Sequence, residues 1–382
     1  MRIGLLAPSR RYEDAYLSSS ELLYRASGDN LGNFAFVEAL WRHLAPDVEL
    51  LPWHVSPGEA REKCDLLVFA AANQLGAHND LGLFASHLDK IGLPIVAVGL
   101  GAQAPDMASA IRLPAGTDRW VRVLAAQAPT LKPNIGVRGE FTRRVMEELR
   151  LGDSAVTTGC PSNFLNDRPD FYAELHRSFQ RRRIDRLAVA AGSRNFPGTR
   201  DAERRLANMV SQTCGVYIVQ ADLDMVRFAR GELTTLVISE LDAIWKFILP
   251  QHSMLDMLLW RQRHAVCFTD ATSWMEAMRS FDFVAGARFH GVMLGIQVGV
   301  PGGVVAHDSL TLELCQTTAI PVRLAADMPA DFDLADLHQL FAFDVATYAA
   351  TRERLRQNYL ELLRGCGIEP HPRLAAVQKL AA

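Results

Sequence analysis

No apolar run in this sequence is long enough to cross a membrane: "LLVFAAA" after Asp65, among the longest, falls far short of the ~20 residues a helical span requires. The opening "MRIGLLAPSRR" turns polar too soon to read as a secretory signal. Cysteine is sparse and dispersed. Cys64, Cys160, Cys214, Cys267, Cys315 and Cys366 form no CxxC pair and no cluster with histidine at metal-ligand spacing. Five of them sit in apolar surroundings, which predicts buried free thiols in a reducing compartment and no metal site. Neither sign of charge is in excess. With 40 Lys+Arg against 43 Asp+Glu and a net charge of -3, bulk nucleic-acid binding is disfavoured. What the chain has in quantity is apolar residues, 49% of the total, ample for packed cores. Its 382 residues exceed the size at which single cores divide, so two domains are expected. The composition reads as a soluble, cytoplasmic globular protein.

Short apolar runs alternate with helical patterns almost throughout. "RIGLLAP" (2–8) reads as a strand, and "LGNFAFVEALWRHL" (31–44) as a helix with Phe34, Val37, Leu40, Trp41 and Leu44 on one face. "VELLPW", "DLLVFAA", "PIVAVGLG", "NIGVRG" and "SAVTTG" are further strand candidates. "EFTRRVMEELRLG" (140–152) is an amphipathic helix that Gly152 is placed to terminate. A polar stretch (161–186) carrying Pro161 and Pro169 and ending in Arg181, Arg182 and Arg183 reads as a domain break, its arginines a solvated face. The alternation then restarts, with strands at 187–192, 215–220, 264–269, 282–287, 302–307 and 321–326 and helices at 199–213, 235–249 and 272–281. Helices over 334–375 close the chain. The expected division is an N-terminal Rossmann-like domain (1–165), a linker (166–186), a C-terminal Rossmann-like domain (187–330) and C-terminal helices (331–382). Apolar strands separated by helices imply parallel sheets covered on both faces. The fold class is therefore α/β, two Rossmann-like parallel-sheet domains facing across a cleft.

In such sheets ligands bind beyond the carboxyl ends of the strands. "FDFVAGARFHGVMLGIQVGVPGG" (281–303) fits that rule, with a strand leading into Arg288 and His290 and then a helix stopped by Gly299 and Pro301. If the chain stays extended through the turn, Arg288 and His290 face one side and Phe289 anchors on the other. An anion could take the free amides of the helix and a bidentate Arg288, with Gly291 permitting the tight turn. His290 is the residue type suited to proton exchange near neutral pH. The plainer reading is a local ion pair for Arg288 and a carbonyl contact for His290. The next strand ends in His307, Asp308 and Ser309; Asp308 or Ser309 caps the following helix, and His307 lines the same crevice. In the first half, "SGDNLGNFAF" (27–36) offers Asn30 and Asn33 to a hydroxylated ligand, with Gly28 and Gly32 permitting unusual backbone angles. Its spacing is not GxGxxG, so it is no dinucleotide fingerprint. Gly99 and Gly101 in "VGLGAQ" permit close ligand approach, and Arg138 in "GVRGE" ends another strand as an anion contact or a structural ion pair.

"GARFHGVMLGIQVGVP" (286–301) resembles the Arg-x-His signature of the polysaccharide pyruvyl transferase family. "DNLGNFAFVEAL" resembles that family's N-terminal loop and helix, "VGLGAQ" its central Gly-x-Gly turn, and "VRGEFTRRVMEELRLG" its Arg-containing strand end and helix. The likeness runs roughly from 28 to 325. It implies a GT-B-like fold and transfer of a pyruvyl group from phosphoenolpyruvate to a sugar, usually as a ketal bridging two hydroxyls. The first domain would be the acceptor side and the second the donor side, with phosphoenolpyruvate as co-substrate and no further cofactor. Arg138 and Arg288 would hold the donor's carboxylate and phosphate, and His290 would be the acid or base. The chain departs from the family where its loop usually ends in an acid, here Asn33, and where a Tyr-Asp-x-Lys pattern is common, here "HDSL". The partners implied are phosphoenolpyruvate and a sugar or glycan, with room for peripheral contact to a lipid-linked acceptor and for a homo-oligomer. A GT-B glycosyltransferase using a nucleotide sugar, and a catalytically silent sugar-binding protein of the same fold, are the two other readings.

Overall fold

The structure, a computed structural model, describes residues 1–44 and 47–376; residues 377–382 of the expected closing segment lie outside the described residues. The first half contributes β1 (Ile3–Leu6), β2 (Val48–Leu51), β3 (Leu66–Ala70), β4 (Leu75–Gly76), β5 (Ile95–Leu100), β6 (Ala102–Gln103), β7 (Ile135–Val137) and β8 (Ala155–Thr157). The second contributes β9 (Leu187–Ala190), β10 (Val216–Ile218), β11 (Ala265–Val266), β12 (Phe283–Gly286), β13 (Gly302–Ala306) and β14 (Val322–Leu324). They build two six-stranded sheets, ordered β2-β1-β3-β5-β7-β8 and β11-β10-β9-β12-β13-β14, with β4 and β6 as a small separate pair. All of these pairings are parallel. Every residue of β3, β5, β9, β12 and β13 is buried, because helices cover both faces, and this is why those strands read as unbroken apolar runs. Helices close the chain, the longest being Val345–Gly365. This is a duplicated Rossmann-like, GT-B-like fold.

Strand order locates the functional ground. In each sheet the order reverses once, between β1 and β3 in the first and between β9 and β12 in the second. Loops diverge to opposite faces at such a point and leave a crevice at the carboxyl ends of the strands. Gly286 ends β12 there at φ 151, and a Cβ on it would lie 2.1 Å from the carbonyl oxygen of Ala190 at the end of β9. Only glycine allows the two strand ends to close that tightly.

Several local expectations shift. The helix after β12 begins at Phe289, three residues before the "VMLGIQVG" run, with Arg288 as its extended N-cap (φ -122, ψ 114). Arg288 and His290 are therefore presented together by a helix start and not by strand alternation. The helix Glu140–Glu148 stops before Gly152. Arg150 takes the left-handed conformation (φ 60), and Leu151 N–H donates to Met146 O at 2.8 Å, so the closure that usually uses glycine is made with arginine. The polar stretch read as a domain break (161–186) carries regular structure: Pro161–Phe164 is a buried helical turn, and the helix Phe171–Gln180 buries Phe171, Tyr172 and Leu175. "HAVCFT" pairs only over Ala265–Val266.

One apolar cluster runs continuously from the first sheet to the second, through Phe34, Phe164, Phe171 and Tyr348. The Val345–Gly365 helix reinforces it. Arg352 donates from Nε to Asn163 O and from Nη2 to Asn166 O, each at 2.7 Å, and the Tyr348 hydroxyl donates to Asn163 Oδ1 at 2.8 Å.

Candidate functional site

A cavity of about 100 Å³ lies where the two switch points face each other. From the first half it is lined by Asn30 and Asn33 before and at the start of the helix Asn33–His43, by Asn73 after β3, by Gln103 in β6 and by Arg138 after β7. From the second half come Phe196 after β9, Gln220 after β10, Arg288 and His290 after β12, and His307 and Asp308 after β13. Every strand that contributes does so from the loop at, or just beyond, its carboxyl end.

The two arginines are held differently. Arg138 is 3% exposed; its Nε donates to Gly99 O at 2.7 Å, its Nη2 to Ala71 O at 3.5 Å, and its guanidinium lies 5.8 Å from the Phe36 ring centroid. Burial lowers its pKa, with Cys160 and Glu313 opposing the shift. The Arg288 side chain makes no hydrogen bond or ion pair among the described residues. Its Nε is sealed from solvent without a partner, and its guanidinium sits 5.9 Å from the Phe196 ring. Burial lowers its pKa too, against the field of Asp222, Asp308, Tyr24 and Glu203. Both remain cationic, because arginine titrates far above neutrality. A partly buried guanidinium without an ion-pair partner is a costly arrangement that an incoming anion relieves.

His290 is 8% exposed, its ring flanked by Phe36 and Phe289, each with centroids 5.5 Å away. Its Nε2 is 3.5 Å from Cys160 Sγ. Burial, helped by Arg138 and Arg288, lowers its pKa to about 3, so the imidazole is neutral at physiological pH. The His307 ring lies against Phe196, centroids 4.0 Å apart and tilted by 45°, and its Nε2 is 3.7 Å from Asp308 Oδ2. Burial is again the largest cause of its lowered pKa.

Asp308 caps the helix Ser309–Thr318 by accepting from Thr311 N–H at 2.8 Å. Its other oxygen accepts from Gln103 Nε2 at 2.7 Å, and Gln103 Oε1 accepts from Asn73 Nδ2 at 2.7 Å, a polar chain that crosses the cleft. Ser309 lies outside the cavity lining and fastens the halves: its Oγ accepts from Ala104 N–H at 2.8 Å, and its N–H donates to Ala104 O at 3.1 Å. Asn33 spends its amide on the carbonyls of Ser27 (3.0 Å) and Gly28 (3.2 Å), while Asn30 accepts from Gly32 N–H at 2.9 Å.

The glycines serve packing beside the cavity. A Cβ on Gly101 would meet Leu310 and the Arg138 side chain at 2.5 and 2.9 Å, one on Gly32 would meet Gln220 Oε1 at 2.7 Å, and one on Gly291 would meet Ala190 and Gln220, both at 2.7 Å. Gly99 (φ +83) turns its carbonyl to Arg138. Thus Arg138, Arg288, His290, His307, Asp308, Asn30 and Asn33 share one cavity, whereas Gly32, Gly99, Gly101, Gly291 and Ser309 support it from outside. Sequence reading missed Phe196, Gln220, Asn73 and Gln103. Each lies at or after a strand end, so the signal was positional, but nothing in its residue type marked it.

Among the described residues, no group of three or more His, Cys, Asp or Glu side chains could hold a metal ion. Nor is any described helix long and apolar enough to cross a membrane.

No curated protein matches the chain. Among solved structures, MnaA of S. aureus with UDP is similar at 10% identity and TM-score 0.41, over 95% of this chain and 97% of that one. HepE of Anabaena in complex with UDP is similar at 13% identity and TM-score 0.44, over 96% and 98%. A UDP-N-acetylglucosamine 2-epimerase from Rickettsia bellii is similar at 10% identity and TM-score 0.42, over 96% and 97%. The family model for polysaccharide pyruvyl transferase matches residues 30–309, a span that takes in the first-half asparagine loop, Arg138, the Arg288–His290 helix start and the His307–Asp308 turn. The chain belongs to the polysaccharide pyruvyl transferase family and is a transferase-type enzyme.

Proposed function

We propose that this enzyme transfers a pyruvyl group from phosphoenolpyruvate to sugar hydroxyls of a glycan or glycan precursor, forming a pyruvate ketal. The observation that carries this reading is the cavity in which Arg138 and Arg288 converge with His290, the Arg288 side chain having no hydrogen-bond or ion-pair partner among the described residues. A compact trianion with a carboxylate and a phosphate supplies the negative charge that two guanidinium groups lack. The small volume, about 100 Å³, fits such a donor better than a nucleotide sugar. A larger groove of about 760 Å³ shares Phe196, His307 and Asp308 with the cavity and gives the acceptor an approach.

The neutral state of His290 favours a base as its starting role. It takes the proton of the first acceptor hydroxyl as that oxygen bonds to the phosphate-bearing carbon, and the imidazolium so formed passes that proton to the methylene carbon, which becomes a methyl. Phosphate then departs as the second hydroxyl attacks the same carbon, and that hydroxyl's proton leaves with the phosphate. Asn33 cannot act as the base, since an amide accepts no proton at neutral pH and its nitrogen already donates to the loop. The six free thiols suit a reducing compartment, and we propose a cytoplasmic location.

The test is phosphate release from phosphoenolpyruvate against a panel of glycans, with product masses read in parallel. Phosphate release accompanied by a pyruvyl-ketal mass on a sugar is the expected result. Glycosyl transfer from a nucleotide sugar, with phosphoenolpyruvate inert, would overturn the reading. Sugar binding without turnover of either donor would also overturn it, and would favour a silent binding protein.

A further inference from the structure

We propose that Cys160 is a positioning residue that sets the tautomer of His290, accepting Nε2–H at its sulfur so that Nδ1 offers a lone pair to the cavity. Cys160 follows β8 in the first half and is fully buried, and its Sγ is 3.5 Å from His290 Nε2 in the second half. That sulfur also lies 3.0 Å from Ser162 Oγ, which is itself fully buried. In this arrangement Nε2–H donates to sulfur and the thiol S–H donates to Ser162 Oγ, so each group in the row has a partner. Nδ1 has no protein hydrogen bond among the described residues, yet it is not sealed, unlike the Nδ1 atoms of His43 and His307.

The opposite tautomer is electrostatically worse. It would aim an N–H bond dipole into a cavity that already holds the Arg138 and Arg288 guanidinium groups, whereas a lone pair there is attracted to them. Phe36 and Phe289 hold the ring against rotation, so the bond to sulfur is what chooses which nitrogen carries the proton. Because the sulfur and the imidazole come from different halves, His290 is a competent base only while the halves are seated together.

The inference rests on His290 being the base of the proposed transfer, but its test needs no substrate. Nitrogen-15 spectra of the imidazole, assigned by comparison with His290→Gln, report which ring nitrogen is protonated. We expect Nε2–H in the wild type and in Cys160→Ser, whose hydroxyl also accepts, and a mixed or inverted tautomer in Cys160→Ala. In turnover, Cys160→Ala should lower kcat roughly 10- to 100-fold, as loss of an outer hydrogen bond to a functional histidine does at metal sites, with donor affinity kept and Cys160→Ser partly restored. A wild-type imidazole protonated at Nδ1, or a tautomer unchanged in Cys160→Ala, overturns the proposal. A shifted tautomer in a protein that turns over no phosphoenolpyruvate upholds it and removes the pyruvyl-transfer reading instead.

Discussion

A neutral imidazole beside two guanidinium groups starts the reaction as a proton acceptor, and this defines what substitution of His290 should do. His290→Ala removes the proton acceptor and leaves Arg138 and Arg288 in position. Its turnover should fall on the order of 100- to 10,000-fold with donor affinity retained, as read by phosphate-release kinetics beside calorimetric titration of phosphoenolpyruvate. Arg288→Lys tests the other half of the site. An ammonium cannot reproduce the planar fork, so donor affinity should weaken roughly 10- to 100-fold, equivalent to one or two charge-assisted hydrogen bonds. Unchanged affinity in that variant would argue that Arg288 does not clamp the donor.

Among the elements, the pairing of β12 with β9 carries the site, because Ala190 and Gly286 end the strands that launch the Phe196 loop and the Arg288–His290 helix. A methyl group on Gly286 would collide with the Ala190 carbonyl at 2.1 Å, at a φ that side chains avoid. Gly286→Ala should cost roughly 3 kcal/mol or more of stability, visible as a lower denaturant midpoint. If the variant instead unfolds at the wild-type midpoint, β12 and β9 are not as closely locked as the contact implies. Helix starts matter equally. Glu313, on the second-half helix Ser309–Thr318, accepts from Thr142 N–H at 2.6 Å and from its hydroxyl at 2.8 Å, and so caps a first-half helix.

At the scale of the whole molecule, these buried groups give stability a pH signature. His43 and His290 both fall to about 3 in the folded protein, chiefly through burial. Between about pH 3 and 6.5 the unfolded chain binds protons that the folded chain refuses, so their contribution raises stability as pH rises. Glu313 works the other way. Burial lifts its pKa to about 7, so above the ordinary glutamate value the folded chain keeps a proton that the unfolded chain has released. Its contribution to stability is therefore lost as pH rises from the ordinary value to about 7. Glu313→Gln keeps an acceptor for Thr142 and cannot ionise. Relative to wild type it should gain on the order of 3 kcal/mol between pH 4 and pH 8 in denaturant titrations. No relative gain across that range would mean that Glu313 ionises normally in the clasp between the halves.

The sequence by itself determined the element types, the parallel sheets and one corner of the site. Runs such as "LLVFA" and "GGVVA" are apolar at every position because helices shield both faces, and Arg288, His290 and Arg138 were legible as polar residues at strand ends. Strand order was not legible, since periodicity describes each run alone and says nothing of its neighbours. Nor did any residue pattern mark Phe196, Gln220 or Gln103 as walls of one cavity, or Cys160 as the partner of His290 across 130 residues of chain. Tertiary structure alone decided those, because burial and electrostatic fields depend on which groups meet in space. The same imidazole that titrates near neutrality in an open chain is held neutral here by burial and by two arginines, brought together from distant parts of the sequence.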